Sequence, residues 1–165
     1  MSTPKAFKFS KVAIGCDHAA VALKNEVVAH LKSLGIPTVI DVGAHTADSV
    51  DYPDYAATLC GLVARKEVEV GFLFCGSGIG ISIAANKCDG IRAALCHDYY
   101  TALMAREHND ANVMCAGARV TGSEVVKQMC EVFLSTAFLN SGNHPRRVEK
   151  LDDMSKAVLM PVNTE

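Results

Sequence analysis

Short apolar runs alternate along the chain with longer segments in which apolar residues return every three or four positions. Lys11–Cys16 is the first run, rich in small apolar residues. Val21, Val27, Val28, Leu31 and Leu34 then follow helical spacing, and Gly35 and Pro37 supply the stop. Thr38–Val42 predicts a second strand. Pro53 suits the first helical position, and Ala56, Leu59, Cys60 and Val63 continue one face. Val68–Cys75 is the most apolar run and predicts the central strand. Ile79–Lys87 predicts a helix, Ile91–Cys96 a fourth strand, Tyr99–His108 a helix and Asn112–Ala116 a fifth strand. Thr121 and Glu124 have the spacing of a capping box ahead of Val125, Val126, Met129, Val132 and Phe133. A last helix is predicted from Pro145.

Strands that are apolar throughout and separated by helices must be covered on both faces, which makes the sheet parallel. Right-handed crossovers then give an α/β fold: a Rossmann-like doubly wound sheet of five parallel strands with helices on both faces. With no internal repeat, low-complexity segment or long linker, residues 1–165 are expected to form one domain. Ligands in such folds bind beyond the carboxyl ends of the strands. The first strand ends in Gly15-Cys16-Asp17-His18, and the segment after the second carries Asp51-Tyr52-Pro53. The third ends in Cys75-Gly76-Ser77-Gly78-Ile79-Gly80. The helix after the fourth ends in His108-Asn109-Asp110, and the fifth is followed by Gly117-Ala118-Arg119. The expectation is that a thiol, carboxylates, imidazoles and a guanidinium share one rim.

Composition narrows the class of ligand. Apolar residues make up 50% of the chain, charged residues 21%, and the net charge is −2. No basic block stands out, so neither nucleic acid nor a membrane surface is an expected partner. No apolar run is long enough to span a bilayer. Met1 to Ser10 lacks the apolar stretch of a signal peptide, and Val162 to Glu165 carries no retention tripeptide. The seven cysteines include no C-x-x-C pair, and several sit in buried-strand runs, which points to a reducing compartment, most simply the cytoplasm. No His/Asp/Glu cluster has metal-ligand spacing, so no metal site is expected.

The loop Cys75–Gly80 carries the strongest local pattern. Three glycines alternate between a buried strand and a helix, where backbone N–H groups and the helix N-terminus favour an anion. A tight strand-to-helix turn would use the same glycines. A dinucleotide fingerprint needs glycine at position 81 and a cysteine-phosphatase loop needs arginine there; Ile81 is neither. The tight turn stays open, and the third functional reading is an anion hole for an enediolate with the adjacent thiol as base. The positive end of a helix favours a thiolate, and a thiolate beside N–H donors can remove a carbon-acid proton and hold the resulting oxyanion. The other six cysteines are read as core, the methionines as core filler, and His30 as a surface residue of its helix.

Gly15-Cys16-Asp17-His18, Asp51-Tyr52-Pro53, Cys75 to Gly80, Ala84-Ala85-Asn86-Lys87, His108 to Val113 and Gly117-Ala118-Arg119 together resemble the type B ribose-5-phosphate isomerases, in matching order and spacing from Lys11 to Leu151. The wider family includes galactose-6-phosphate isomerase subunits. The resemblance implies an aldose–ketose isomerase of the pentose phosphate pathway that interconverts D-ribose 5-phosphate and D-ribulose 5-phosphate through a cis-enediolate. It implies Cys75 as base, Asp51 as the carboxylate supporting it and Ser77 as the hydroxyl serving O1/O2 proton transfer. It implies the backbone of Gly76, Gly78 and Gly80 as anion hole, His108 as ring opener, and Asp17 near the ring oxygen. Asn109 then matches a sugar-hydroxyl ligand and Tyr52 a pocket wall, while His18, Arg119, His144 and Arg147 fall at phosphate-contacting positions. The implied enzyme needs no cofactor and no metal. It is a homodimer or a dimer of dimers whose site is shared between chains. Two positions depart from the family pattern. Asn143 stands where many bacterial members have arginine, so either one phosphate contact is missing or Arg146 replaces it. Ile81 stands where one branch has a glutamate base, which leaves the cysteine branch. An isomerase of six-carbon sugar phosphates and a non-catalytic phosphate-binding module are the rival readings, and Cys75 with His108 argues against the module.

Overall fold

The computed structural model describes residues 7–154. The termini read for targeting signals therefore fall, in large part, outside the described residues. Five strands form one sheet: β1 (Lys11–Cys16), β2 (Thr38–Asp41), β3 (Val70–Cys75), β4 (Ala93–Leu95) and β5 (Val113–Gly117). The strand order is β2-β1-β3-β5-β4 and every pair is parallel. β3, the most apolar run, lies at the centre. Six helices connect or follow the strands: α1 (Val21–Ser33), α2 (Tyr52–Ala64), α3 (Ile79–Ala85), α4 (Tyr99–Asn109), α5 (Ser123–Ser135) and α6 (His144–Asp152). This is the predicted doubly wound α/β architecture.

Side chains alternate across a strand, so each buried strand feeds two cores. Val12, Ile14, Phe72, Phe74, Met114 and Ala116 face one side, where they meet Val27, Leu31, Met129 and Phe133 of α1 and α5. Phe72 and Phe133 meet edge to face at 5.8 Å. Ala13, Leu73, Cys75, Val113 and Cys115 face the other side, against Leu59, Cys60, Ile81 and Ala85 of α2 and α3. Cys75 thus belongs to the face that α2 and α3 cover.

Several local details differ from the sequence pattern. The reciprocal capping box sits at Asp98 and Thr101, ahead of α4, and not at Thr121 and Glu124. Thr121 is still in the turn after β5, where its N–H bonds Gly117 O, and Gly122 is the N-cap of α5. Glu124 pairs with Lys127 instead. His30 is half-buried and meets Glu131 at 3.0 Å, tying α1 to α5. Met114 and Met129 fill the core, whereas Met154 is exposed. β4 is shorter than its apolar run, and the Asn86 amide caps its first residue in the manner of a neighbouring strand. Asn86 Nδ2 donates to Ala93 O at 2.8 Å, and Ala93 N–H donates to Asn86 Oδ1 at 2.9 Å.

Lys24 on α1 is fully buried and holds both carboxylate oxygens of Asp41, at 2.8 and 2.6 Å. Asp41 Oδ1 also accepts the Gly43 N–H. This pair fixes the end of β2, from which the chain runs on toward Asp51. Among the described residues, no helix is long and apolar enough to cross a membrane.

Candidate active site

The loop after β3 is folded tightly against its neighbours. Gly78 has φ +78°, and a Cβ there would lie 2.6 Å from Leu95 Cδ1 and 2.8 Å from the Ala116 carbonyl carbon. Only glycine satisfies both the left-handed backbone and the close approach. That conformation turns the Gly78 N–H back onto Cys75, whose Sγ accepts it at 3.0 Å. The thiols of Cys16, Cys60, Cys88 and Cys96 make the opposite contact, each donating to a backbone carbonyl. Burial pushes Cys16, Cys60 and Cys96 up to about 12, and Cys115 and Cys130 well above the ordinary thiol value. Burial thus favours the protonated thiol in all five near neutral pH.

Around Cys75 stand most of the other residues singled out at strand ends. Tyr52, the first residue of α2, lies across the loop: a Cβ on Gly80 would be 2.7 Å from Tyr52 Cζ and 2.9 Å from its hydroxyl oxygen. Arg119 donates its N–H to Gly76 O at 3.0 Å, and its Nη1 lies 3.4 Å from where a Gly76 Cβ would sit. Ala19 approaches the same point to 3.6 Å. Asp17 is buried, joined by its N–H to Phe74 O, and its Oδ1 caps Ala19. His18 Nδ1 accepts the Val50 N–H at 3.2 Å, which leaves Nε2 as the ring nitrogen able to serve a ligand. Ser77 Oγ accepts the Ile79 N–H at 3.2 Å. Asp51 is the N-cap position of α2, but its carboxylate is exposed and, among the described residues, forms no bond to Cys75.

The remaining residues are not on this rim, contrary to the expectation of a single shared one. A helix that follows a parallel strand runs back along the sheet, so α4 starts at the carboxyl edge and ends at the amino edge. Asn109 O accepts from Arg92, which immediately precedes β4, and Asn112 O accepts from Gly71, near the start of β3. His108 and Asn109 are therefore separated from Cys75 by a strand length, roughly 15 Å at ~3.3 Å per residue. They form a second cluster with α6. The His108 and His144 rings stack at 4.2 Å and 13°. Arg147 lies on α6 one turn after His144, and Arg146 Nη2 reaches Asn143 Oδ1 at 3.4 Å. One chain thus carries two separate clusters: a thiol with N–H donors, and a pair of imidazoles on α4 and α6 with Arg146 and Arg147 on the same α6. Among the described residues, no group of three or more His, Cys, Asp and Glu side chains could hold a metal ion.

The sequence matches the ribose/galactose isomerase family model over residues 12–151. It is 46% identical over 141 residues to ribose-5-phosphate isomerase B of Escherichia coli, covering 86% of this chain and 93% of that protein. It is 43% identical over 141 residues to D-erythrulose-4-phosphate isomerase of Pectobacterium atrosepticum, covering 85% and 91%. The type B ribose 5-phosphate isomerase structure of Trypanosoma cruzi superposes with a TM-score of 0.85 at 51% identity, over 88% of this chain and 98% of that one.

Proposed function

This chain belongs to the ribose/galactose isomerase family and is an isomerase, and on that premise we propose that it interconverts D-ribose 5-phosphate and D-ribulose 5-phosphate, with Cys75 as the base. The observation that carries the assignment is the Gly78 N–H donated to Cys75 Sγ inside a loop of alternating glycines. A donor aimed at sulfur stabilises negative charge on it, and the neighbouring N–H groups serve the oxygens of the substrate. Cys75 removes the proton from C2 of the open aldose. The C–H electron pair becomes the C1–C2 double bond, and O1 takes up negative charge as a cis-enediolate. The proton returns to C1 while O2 reforms a carbonyl. Ser77 exchanges protons between O1 and O2, and the backbone of Gly76, Gly78 and Gly80 holds the charge.

Before this, the furanose must open. His108 moves the proton between the anomeric hydroxyl and the ring oxygen, with Asp17 beside that oxygen and Asn109 on a sugar hydroxyl. Since His108 and Cys75 lie on opposite edges of one sheet, a second copy of the chain supplies His108, Asn109, His144 and Arg147 to the rim that carries Cys75. The homodimer, alone or as a dimer of dimers, is the catalytic unit. Tyr52 walls the pocket. Phosphate is bound by His18 and Arg119 from one copy and by His144 and Arg147 from the other. Arg146, drawn to Asn143, takes the part of the arginine absent there. Asp51, at the N-cap of α2, is the carboxylate that supports the thiol in this reading. Both half-sites use side chains that act without cofactor or metal, in the reducing setting of the cytoplasm.

The test is a panel of aldose phosphates with the chelated protein and no additive. Ribose 5-phosphate should give the highest kcat/KM. A higher value for erythrose 4-phosphate or galactose 6-phosphate would move the assignment to another substrate of the family.

A further inference from the structure

We propose that Arg92 is a positioning residue for the half-site of His108, Asn109, His144 and Arg147. It is placed in no family motif above, and it touches no residue that reacts. The inference rests on the function proposed above. Its guanidinium lies against the two elements that carry that half-site. Nε donates to Asn109 O and Asp110 O, both at 3.1 Å. Nη2 donates to Asp110 O and Asp110 Oδ2, both at 3.0 Å. Nη1 donates to Asp152 Oδ1 at 2.8 Å and Oδ2 at 3.1 Å. One side of the fork thus clasps the carboxyl end of α4, directly after His108, and the other clasps the carboxyl end of α6.

The backbone of Arg92 is held as firmly as its side chain. Its N–H donates to Asn112 Oδ1 at 2.9 Å, and its carbonyl accepts from the N–H groups of Asn112 and Val113. The fork is therefore referenced to the start of β5, in the rigid part of the sheet. Asp110, in a left-handed conformation at φ +44°, shares its carboxylate between two cations. Oδ2 goes to Arg92, and Oδ1 goes to Arg106 at 2.9 Å. Arg106 is buried, with Phe9 and Phe133 against its guanidinium, and ties the end of α4 to the core and to the Ala111 carbonyl. Arg92 alone of the two reaches α6.

α6 needs such a tether. Of its nine residues only Val148 is buried, so apolar packing does little to fix its direction. It is held instead near its ends, by the His144 stack on His108 and by Asp152 on Arg92. Losing the second loosens the carboxyl end of α6, and the spacing between His108, His144 and Arg147 changes with it. Lysine cannot replace Arg92, because an ammonium cannot hold two partners in one fixed plane.

The experiment uses the full chain with labelled histidine, in Arg92→Lys and in Asp152→Asn. Asp152 is about half exposed, so the second variant keeps its fold. The His108 ring proton, displaced by the ring current of His144, should move in both variants toward its position in His144→Ala. Turnover of saturating ribose 5-phosphate should fall about tenfold, as for a lost charge-assisted contact. Solvent deuterium exchange into saturating ribulose 5-phosphate, which needs no ring opening, should stay within about threefold. An unmoved resonance in both variants overturns the proposal, as does an equal fall of turnover and exchange. Should the wild-type protein fail to turn over ribose 5-phosphate, the functional reading falls, while the ring-current shift still decides the role of Arg92.

Discussion

The imidazoles of His108 and His144 lie face to face, 4.2 Å between ring centres, on the amino edge of the sheet, while Cys75 stands at the carboxyl edge. The two steps proposed for the reaction, opening the ring and moving a proton between carbons, are thereby assigned to opposite ends of one molecule. A residue at each end can be removed without disturbing the other, and the predictions exploit that separation.

Cys75→Ala should lower isomerisation by about 10²–10⁴-fold, the usual loss for a missing general base. Its denaturation midpoint should fall only modestly, because one buried sulfur is lost and the Gly78 N–H loses its acceptor. Steady-state rates and urea titrations decide it. Activity within a few-fold of wild type would remove Cys75 from the mechanism.

Mixing Cys75→Ala with His108→Asn subunits tests the sharing of sites. In a shared-site dimer, each mixed pair holds one site with both residues intact and one with neither. Random exchange gives mixed pairs in half the population, so about a quarter of wild-type forward activity should return. No recovery after demonstrated subunit exchange would place both groups in one chain's own site.

Much of this molecule is legible in its sequence, for a physical reason. β1, β3 and β5 are buried on both faces, so they read as unbroken apolar runs, and helices read by their spacing. The glycine loop is legible because only glycine tolerates its turn and contacts. The partners of buried charges are not. Lys24 looks like any helix lysine, and nothing in its neighbours shows that Asp41 will cover it. Arg92 and Asp152 are far apart in sequence yet meet at 2.8 Å. The motif around His108 shows its chemistry but not the direction of α4, which carries it to the amino edge of its own sheet. The capping box of α4, Asp98 with Thr101, lacks the T-x-x-E pattern that Thr121 and Glu124 show, because threonine takes the place of the glutamate.

The Lys24–Asp41 pair predicts an asymmetric mutational cost. Asp41→Ala strands a fully buried ammonium, whereas Lys24→Met leaves a carboxylate that is partly exposed and still bonded to Gly43 N–H. Breaking a buried pair costs about 3–5 kcal/mol when the orphaned charge stays buried. Asp41→Ala should reach that range and Lys24→Met should fall below it. Urea denaturation of both variants measures the difference, and equal costs would contradict the burial argument.

The buried thiols predict alkaline instability. Burial lifts Cys16, Cys60 and Cys96 from 9.0 to about 12. The folded chain therefore keeps protons that the unfolded chain releases above about pH 9. Their stabilisation is complete below about pH 9 and is lost as pH rises toward about 12. Midpoints of urea unfolding should fall over that window, and Cys96→Ala should fall less steeply than wild type. An unchanged slope would show that these thiols do not control alkaline unfolding.

The last prediction separates ring opening from proton transfer. Ribose 5-phosphate is mostly a closed furanose, which has no carbonyl to acidify C2. Opening it requires a proton taken from the anomeric hydroxyl and one given to the ring oxygen. Imidazole is the side chain able to do both near neutral pH. Ribulose 5-phosphate needs no such help, because its C5 oxygen is esterified and cannot close a furanose onto C2. His108→Asn should therefore slow the aldose-to-ketose direction by about 10²-fold or more, the scale of a lost general acid–base group. Asparagine keeps the polarity of the site but cannot carry the proton. In the same variant, Cys75 should still remove and return a proton at C1 of ribulose 5-phosphate. That step is visible by NMR as deuterium entering C1 from heavy water, at a rate within a few-fold of wild type. If the exchange falls as far as the forward rate, His108 acts in the carbon-to-carbon transfer or in the fold, and the division of labour between the two edges of the sheet is wrong.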